Sequence, residues 1–156
     1  MLSGKAADTE HLGGTMRRAE QYQRVLLKVP MFQACTKREL TLVSRLAEDV
    51  RYEAGDVLVR EGARGEEFFV IVDGKAEVGR AGRKLAVLGP GDFFGELALL
   101  DPAPRDATVT ARMPMEVVVL GRREFTGLLA EVPTIARRLL VGMARRLREA
   151  DAQVVH

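Results

Sequence analysis

The chain has no tryptophan, one cysteine, two histidines and only 5% aromatic residues. A lone Cys35 excludes an internal disulfide and a thiolate zinc cluster, and it fits a reducing compartment. Such a cysteine is read as packing or surface, not chemistry. Charge of one sign is lacking too: 24 Lys and Arg against 22 Asp and Glu leave a formal +2, too near neutral to argue for nucleic acid. No apolar run approaches the roughly 18 residues that would suggest a membrane span. The N-terminus is polar and has no signal-like apolar core. A soluble cytoplasmic protein is therefore expected. HExxH, CxxC and Walker spellings are absent, and so is any nucleophile–base pair, so no enzyme is expected. What remains is 156 residues, 47% of them hydrophobic, enough for one domain with a sizeable core.

Residues 1–14 carry Ser, Gly, Lys, Asp and Glu without period and read as a flexible tail; His11 there is read as solvated. The domain proper is placed at 15–152. Thr15 is expected to cap a helix over 15–29, with Met16, Ala19, Tyr22, Val25, Leu26 and Val29 on one face, ended by Pro30. Thr36-Lys37-Arg38-Glu39 spells a capping box before a second helix with Leu40, Val43, Leu46 and Ala47 inward. Helices thus fill 15–49. From Val50 the rhythm changes to short β-prone runs between glycine turns: 57–59, 68–72, 76–78, 85–88, 108–111 and 116–120. Many short, evenly spaced strands predict an antiparallel roll over 50–121. Helices return over 122–132 and 134–152, with Pro133 in a first turn.

The informative stretch is 93–109. Glu96 lies in an apolar run, and Arg105 follows nine positions later. A charge in such a run is costly to bury unless it is paired or hydrogen-bonded. Gly91 and Gly95 allow tight turns or close approach by a ligand. Residues 96–100 permit about one helical turn before Asp101-Pro102 and Pro104 end it. The free N–H groups of Glu96, Leu97 and Ala98 would face an anion. Arg105 offers a planar fork suited to the same phosphate. Glu96 would be repelled by phosphate, so it should hold a nearby hydroxyl. One phosphate beside one hydroxyl suggests a small sugar phosphate. The competing reading is that Glu96 and Arg105 pair with each other and bind nothing.

Residues Phe94-Gly95-Glu96-Leu97-Ala98-Leu99-Leu100, Pro104-Arg105 and Ala107-Thr108-Val109 resemble the phosphate-binding cassette of cyclic nucleotide-binding domains. The resemblance runs over about 17–148. It implies an α+β, mainly β fold: an antiparallel β-roll of double-stranded β-helix or jelly-roll type, flanked by N-terminal helices and C-terminal lid helices. It implies that Glu96 takes the ribose 2′-hydroxyl, that Arg105 takes the cyclic phosphate, and that amides after Gly95 complete the cradle. The ligand-binding set expected is Gly95, Glu96, Leu97, Ala98, Arg105, Asp106, Ala107 and Thr108, with Gly65 near it. Strands around Val70-Ile71-Val72 and Val87-Leu88 are weak candidates for apolar base contacts. The terminal helix would close as a lid, with Arg146, or less readily Arg145, over the purine. No cofactor or metal is implied beyond the nucleotide ligand.

Asp106 departs from the family pattern, where a small or hydroxyl residue is usual. It would repel the phosphate, point away from it, or accept from the amino group of guanine. Cyclic AMP is favoured over cyclic GMP. The chain stops at His156, without room for the helix-turn-helix of bacterial relatives. The function expected is a ligand-switched sensor that transmits through its C-terminal helices to an unknown protein effector. Leu140, Ala144, Leu147 and Val154 lie near heptad spacing and suggest a homodimer helix, unless they pack on the roll. The alternative is a β-roll scaffold or interaction module that ignores nucleotides. A sensor of haem is disfavoured, because His11 and His156 stand at the ends.

Overall fold

A computed structural model describes residues 15–155. The tail at 1–14, His11, His156 and the side chains of Thr15, Met16, Ala19 and Val154 lie outside the described residues. Helix α1 spans Thr15–Leu27, a 3-10 turn spans Pro30–Phe32, and α2 spans Lys37–Leu46. The capping box forms as spelled: the Glu39 N–H donates to Thr36 Oγ1 and the Thr36 N–H donates to Glu39 Oε1. Leu40 and Val43 are buried, and Leu46 and Ala47 pack half-buried beside them.

Eight strands follow: β1 (Glu48–Tyr52), β2 (Val57–Val59), β3 (Glu67–Asp73), β4 (Ala76–Arg80), β5 (Arg83–Leu88), β6 (Phe93–Phe94), β7 (Thr108–Ala111) and β8 (Met115–Gly121). They make two four-stranded antiparallel sheets, ordered β1-β8-β3-β6 and β2-β7-β4-β5. The β-roll expected from the glycine punctuation is thus present. Between β6 and β7 lies the short helix α3 (Glu96–Leu100); α4 (Arg122–Glu131) and α5 (Pro133–Val155) close the chain.

The sheet β1-β8-β3-β6 is apolar on both faces. Phe69, Ile71, Val117 and Val119 point into a core shared with the other sheet. Their neighbours Phe68, Val70, Val118 and Leu120 point the opposite way, into a core shared with the helices. Strand side chains alternate, so consecutive residues of β3 and β8 serve different cores. Each fully buried side chain contributes about 1.5–3 kcal/mol. The same division reaches the site: Phe93 of β6 belongs to the helical core and Phe94 to the sheet core. Phe94 stacks on Phe69 with centroids 4.7 Å apart, and Phe93 meets Phe68 at 5.8 Å. That double anchorage fixes the backbone immediately before Gly95.

Candidate functional site

Gly95 caps α3 with φ 97° and ψ −7°, the left-handed region that glycine adopts without strain. A Cβ there would stand 2.7 Å from Glu67 O and 3.0 Å from Arg105 Nη1. The glycine is required by space as well as by conformation. It turns the chain out of β6 so that α3 starts at the mouth of the roll. In a helix this short the first-turn amides have no intrahelical acceptor.

Glu96 is 3% exposed and Arg105 is 7% exposed; both are buried charges. They do not pair with each other: among the described residues no Glu96–Arg105 ion pair lies within 4 Å. Arg105 instead donates from Nη1 to Gly95 O at 2.9 Å and from Nη2 to Glu67 O at 2.7 Å. A guanidinium carries five N–H donors, so three remain without a partner among the described residues. Its backbone is held as well. The Arg105 N–H donates to Ala63 O at 2.7 Å, and the Gly62 N–H donates to Arg105 O at 2.8 Å. Burial presses the guanidinium pKa down, opposed by Glu67, Glu96, Asp106 and Glu66 around it. Arginine stays charged under such a push.

Glu96 accepts from Arg146 Nη1 at 3.3 Å through Oε2, whereas its Oε1 is buried with no partner among the described residues. Burial pushes its carboxyl pKa up; Arg146 and its own N–H pull it back, and the Asp106 charge adds to the rise. An orphaned buried acceptor costs about 1–3 kcal/mol, and more when charged. The site therefore carries an unsatisfied acceptor and unsatisfied donors on separate groups, both lining one cleft of about 1320 Å³. Leu85, Val87 and Leu88 of β5 and Val141 of α5 give that cleft apolar walls, and Leu85 and Val87 are exposed along it. A roomy apolar cleft with few convergent polar groups is the usual form of a small-molecule site.

Gly95, Leu97, Ala98, Asp106 and Ala107 line the cleft alongside Glu96 and Arg105. Thr108 is not among the lining residues; its hydroxyl accepts from the Glu61 N–H at 2.9 Å. Gly65 stands behind the site, where a Cβ would meet Ala98 Cβ at 2.6 Å and Arg105 Cζ at 2.8 Å. Val87 and Leu88 line the cleft as expected, but Val70 and Ile71 do not. Both are fully buried, one in each core, because β3 is a central strand covered on both faces. Arg146, the lid candidate, lines the cleft. One face of its guanidinium lies 4.3 Å over the Phe93 ring, it also donates to Phe93 O, and the side chain stays 39% exposed. Arg145 lines the cleft.

Two arginines were not singled out from sequence. Arg80 of β4 donates from Nε to Asp106 O at 2.8 Å and lies 3.4 Å from Asp106 Oδ2. It holds Asp106 by its backbone carbonyl and by one carboxylate oxygen. Arg122, first residue of α4, donates to Gly65 O at 2.9 Å and Leu99 O at 3.4 Å. It ties the wall behind Arg105 to the end of α3. Both are surface arginines whose acceptors sit far away in sequence, and no local pattern marks them.

A two-sheet roll with a buried acid and a buried guanidinium at one mouth defines a small-ligand-binding β-roll module. The model of the cyclic nucleotide-binding domain family matches residues 49–132. The chain belongs to that family. It is 37% identical over 126 residues to a cAMP-dependent protein kinase regulatory subunit of Pyricularia oryzae, an alignment covering 80% of this chain and 32% of that protein. The chain spans a third or less of the length of the curated relatives it matches. Among solved structures, PKAR CBD2 bound to Sp-2Cl-cAMPS superposes with a TM-score of 0.72 at 29% identity, covering 87% of this chain and 93% of that one. The catabolite activator protein of Thermus thermophilus gives 0.71 at 33% identity, covering 80% and 61%.

Proposed function

We propose that this chain is a ligand-switched regulatory domain that prefers cyclic AMP to cyclic GMP. The observation that carries the reading is the orphaned Glu96 Oε1, buried beside an Arg105 with donors to spare. A cyclic nucleotide brings a hydroxyl for the first and a phosphate for the second. Gly95, Leu97, Ala98 and Ala107 shape the cradle, and Val87, Leu88 and Arg145 face the base. The preference for adenine is supported by the contact of Arg80 with one oxygen of Asp106, which competes with a guanine amino group for that carboxylate. The regulatory subunit of Pyricularia oryzae, named as cAMP-dependent, points the same way.

The ligand is held, not transformed: Glu96 and Arg105 serve as acceptor and donor, with no reaction to catalyse. About 20 heavy atoms at about −0.3 kcal/mol each give roughly −6 kcal/mol, or tens of micromolar. Residues 15–152 act as the unit, the helices before β1 and after β8 flanking the roll. Transmission runs through α4 and α5 to a protein effector. Leu140 and Leu147 of α5, each 64% exposed, form a stripe for pairing with a second copy. No helix among the described residues is long and apolar enough to cross a membrane, and a cytoplasmic setting suits the ligand.

Thermal unfolding with each nucleotide tests the reading. Cyclic AMP at 100 times its dissociation constant should stabilise the chain by about 2.7 kcal/mol. Cyclic GMP at equal concentration should stabilise it less. No shift with either nucleotide would leave the scaffold alternative standing. Light scattering with and without cyclic AMP tests the dimer.

A further inference from the structure

We propose that α1 is a proton-operated strap: it lies against the roll while the carboxyls of Asp49 and Glu116 share a proton beneath Tyr22, and it loosens when that proton leaves. The inference goes beyond the cyclic nucleotide reading and holds whichever ligand the cleft takes.

Val50 and Tyr52 of β1 turn into the core between the sheets, so Asp49 and Arg51 turn the other way, toward the helices. In β8 the same alternation sends Glu116 to that side, the side of Val118. The strands pair with Asp49 opposite Val118 and Arg51 opposite Glu116. Asp49 and Glu116 are therefore diagonal neighbours on one face, and their carboxyls hydrogen-bond to each other. Such a bond needs a proton on one of the two. Tyr22 of α1 covers the pair from above, packed against the helical core. Its hydroxyl and Asp49 Oδ1 are both shut off from solvent, and neither has a partner among the described residues.

Few charges among the described residues act on this cluster. Glu48 of β1 adds a third negative charge within reach of Tyr22. Arg51 is the cation that acts on Asp49; it lies 3.9 Å from Glu116 Oε2 with its side chain 71% exposed, where solvent screens it. A second negative charge would sit against the first with little to offset it, under a ring that keeps water out. Burial and the Glu116 charge accordingly raise the Asp49 carboxyl to about 7. Burial and the acids around it hold the Tyr22 phenol protonated. Lifting α1 lets water in and returns the carboxyls to their ordinary range. Docked α1 thus binds the proton more tightly than lifted α1. Docking is strongest in acid, weakens as pH rises from about 4 to about 7, and levels above.

The rest of α1 sets how far the slack travels. Leu26 is buried in the helical core, and Gln23 donates to Thr41 of α2 at 3.3 Å. The chain then enters the 3-10 turn, whose Pro30 and Met31 line the cleft. Pro30 O also accepts from Arg138 of α5 at 2.6 Å. Loosening at Tyr22 therefore reaches the rim of the ligand cleft.

Native-state hydrogen exchange on the full chain at pH 5 and pH 8, with each amide corrected for base catalysis, tests this. The amides of 20–27 should lose protection roughly tenfold between the two pH values. The Phe32 amide should follow them. About 1 M urea should leave the α1 rates unchanged, as for an opening that exposes little surface. Asp49→Asn should keep α1 protected at both pH values. Glu116→Gln removes the like charge beside Asp49 and should move the step to lower pH; it decides the question should Asp49→Asn fail to fold. Tyr22→Phe keeps the ring and should keep the step. The proposal is overturned by α1 protection that is alike at both pH values in the wild type, by a step that survives Asp49→Asn or stays in place in Glu116→Gln, or by its loss in Tyr22→Phe. It is overturned equally by α1 amides that share the rate and urea dependence of β3 and β8, since the proton then reports on global unfolding and not on α1.

Discussion

Replacing Arg105 by alanine should destabilise the chain even without ligand. The guanidinium is buried and supplies hydrogen bonds to Gly95 O and Glu67 O. Hydrogen bonds from a charged donor contribute about 1.5–3 kcal/mol each. Truncation removes two of them, leaves a void against Gly65, and takes a cation from among Glu66, Glu67, Glu96 and Asp106. The opposing gain is that a charge no longer has to be desolvated, the same burial that presses the Arg105 pKa down. Two bonds less that gain, with water entering to satisfy one carbonyl, leave a net loss of about 3 kcal/mol. For a chain of this length each kcal/mol moves the melting temperature by about 2–4 °C, so a drop of roughly 6–12 °C is expected. The backbone bonds of residue 105 to Ala63 and Gly62 survive the substitution, so the loss reports the side chain. Thermal denaturation followed by far-ultraviolet circular dichroism, in nucleotide-free buffer, measures it. A ligand-free variant melting within about 2 °C of wild type would refute the reasoning, because Arg105 would then not brace the fold.

Three further outcomes are expected. Arg80→Ala should weaken cyclic AMP binding a few-fold by baring Asp106 to the phosphate, and adding Asp106→Ala should restore it; both effects should shrink in about 0.5 M salt, as calorimetry at two ionic strengths would show. Asp49 has its pKa raised to about 7, first by burial and then by the charge and hydrogen bond of Glu116, with Arg51 opposing. The folded state thus binds this proton more tightly than the unfolded state. Urea unfolding should show stability falling as pH rises from about 4 to about 7 and levelling above, a slope that Asp49→Asn abolishes. Cys35 is half-buried, with its thiol pushed up to about 11 by burial and Glu39 against the pull of Arg138. Iodoacetamide at neutral pH should alkylate it more slowly than a free thiol in the same buffer, read by mass spectrometry.

The elements legible in the sequence share a physical trait: their signal is local. Thr36 and Glu39 satisfy each other across one turn, so the spelling and the structure coincide. Gly95 and the charges at 96 and 105 stand out because an apolar segment must account for each of them. β1 was not resolved from the preceding helix, because Glu48, Asp49 and Arg51 crowd it and only Val50 and Tyr52 turn inward. β6 is two residues long, too short for any period to declare itself. The roles of Arg80 and Arg122 depend on carbonyls 26 and 57 residues away. Which carbonyls are left over is decided only once the sheets have paired. The misplaced expectation at Val70 and Ile71 has the same origin: β-propensity marks a strand but not whether it is central or lines a cleft.

The sheet with oil on both sides has a cost in addressing. Where one surface of a strand is wet, a slip by one residue exposes grease and is rejected at once. β3 and β8 lack that proofreading, since a shifted Phe68 would merely trade places with Phe69. Their alignment must be dictated at the ends instead, by the register shift between Ile71 and Asp73 and by the tight approach of Gly74 to Pro114 O. Misfolded forms of this chain should therefore be compact and strand-rich, with the right residues indoors and the wrong neighbours beside them.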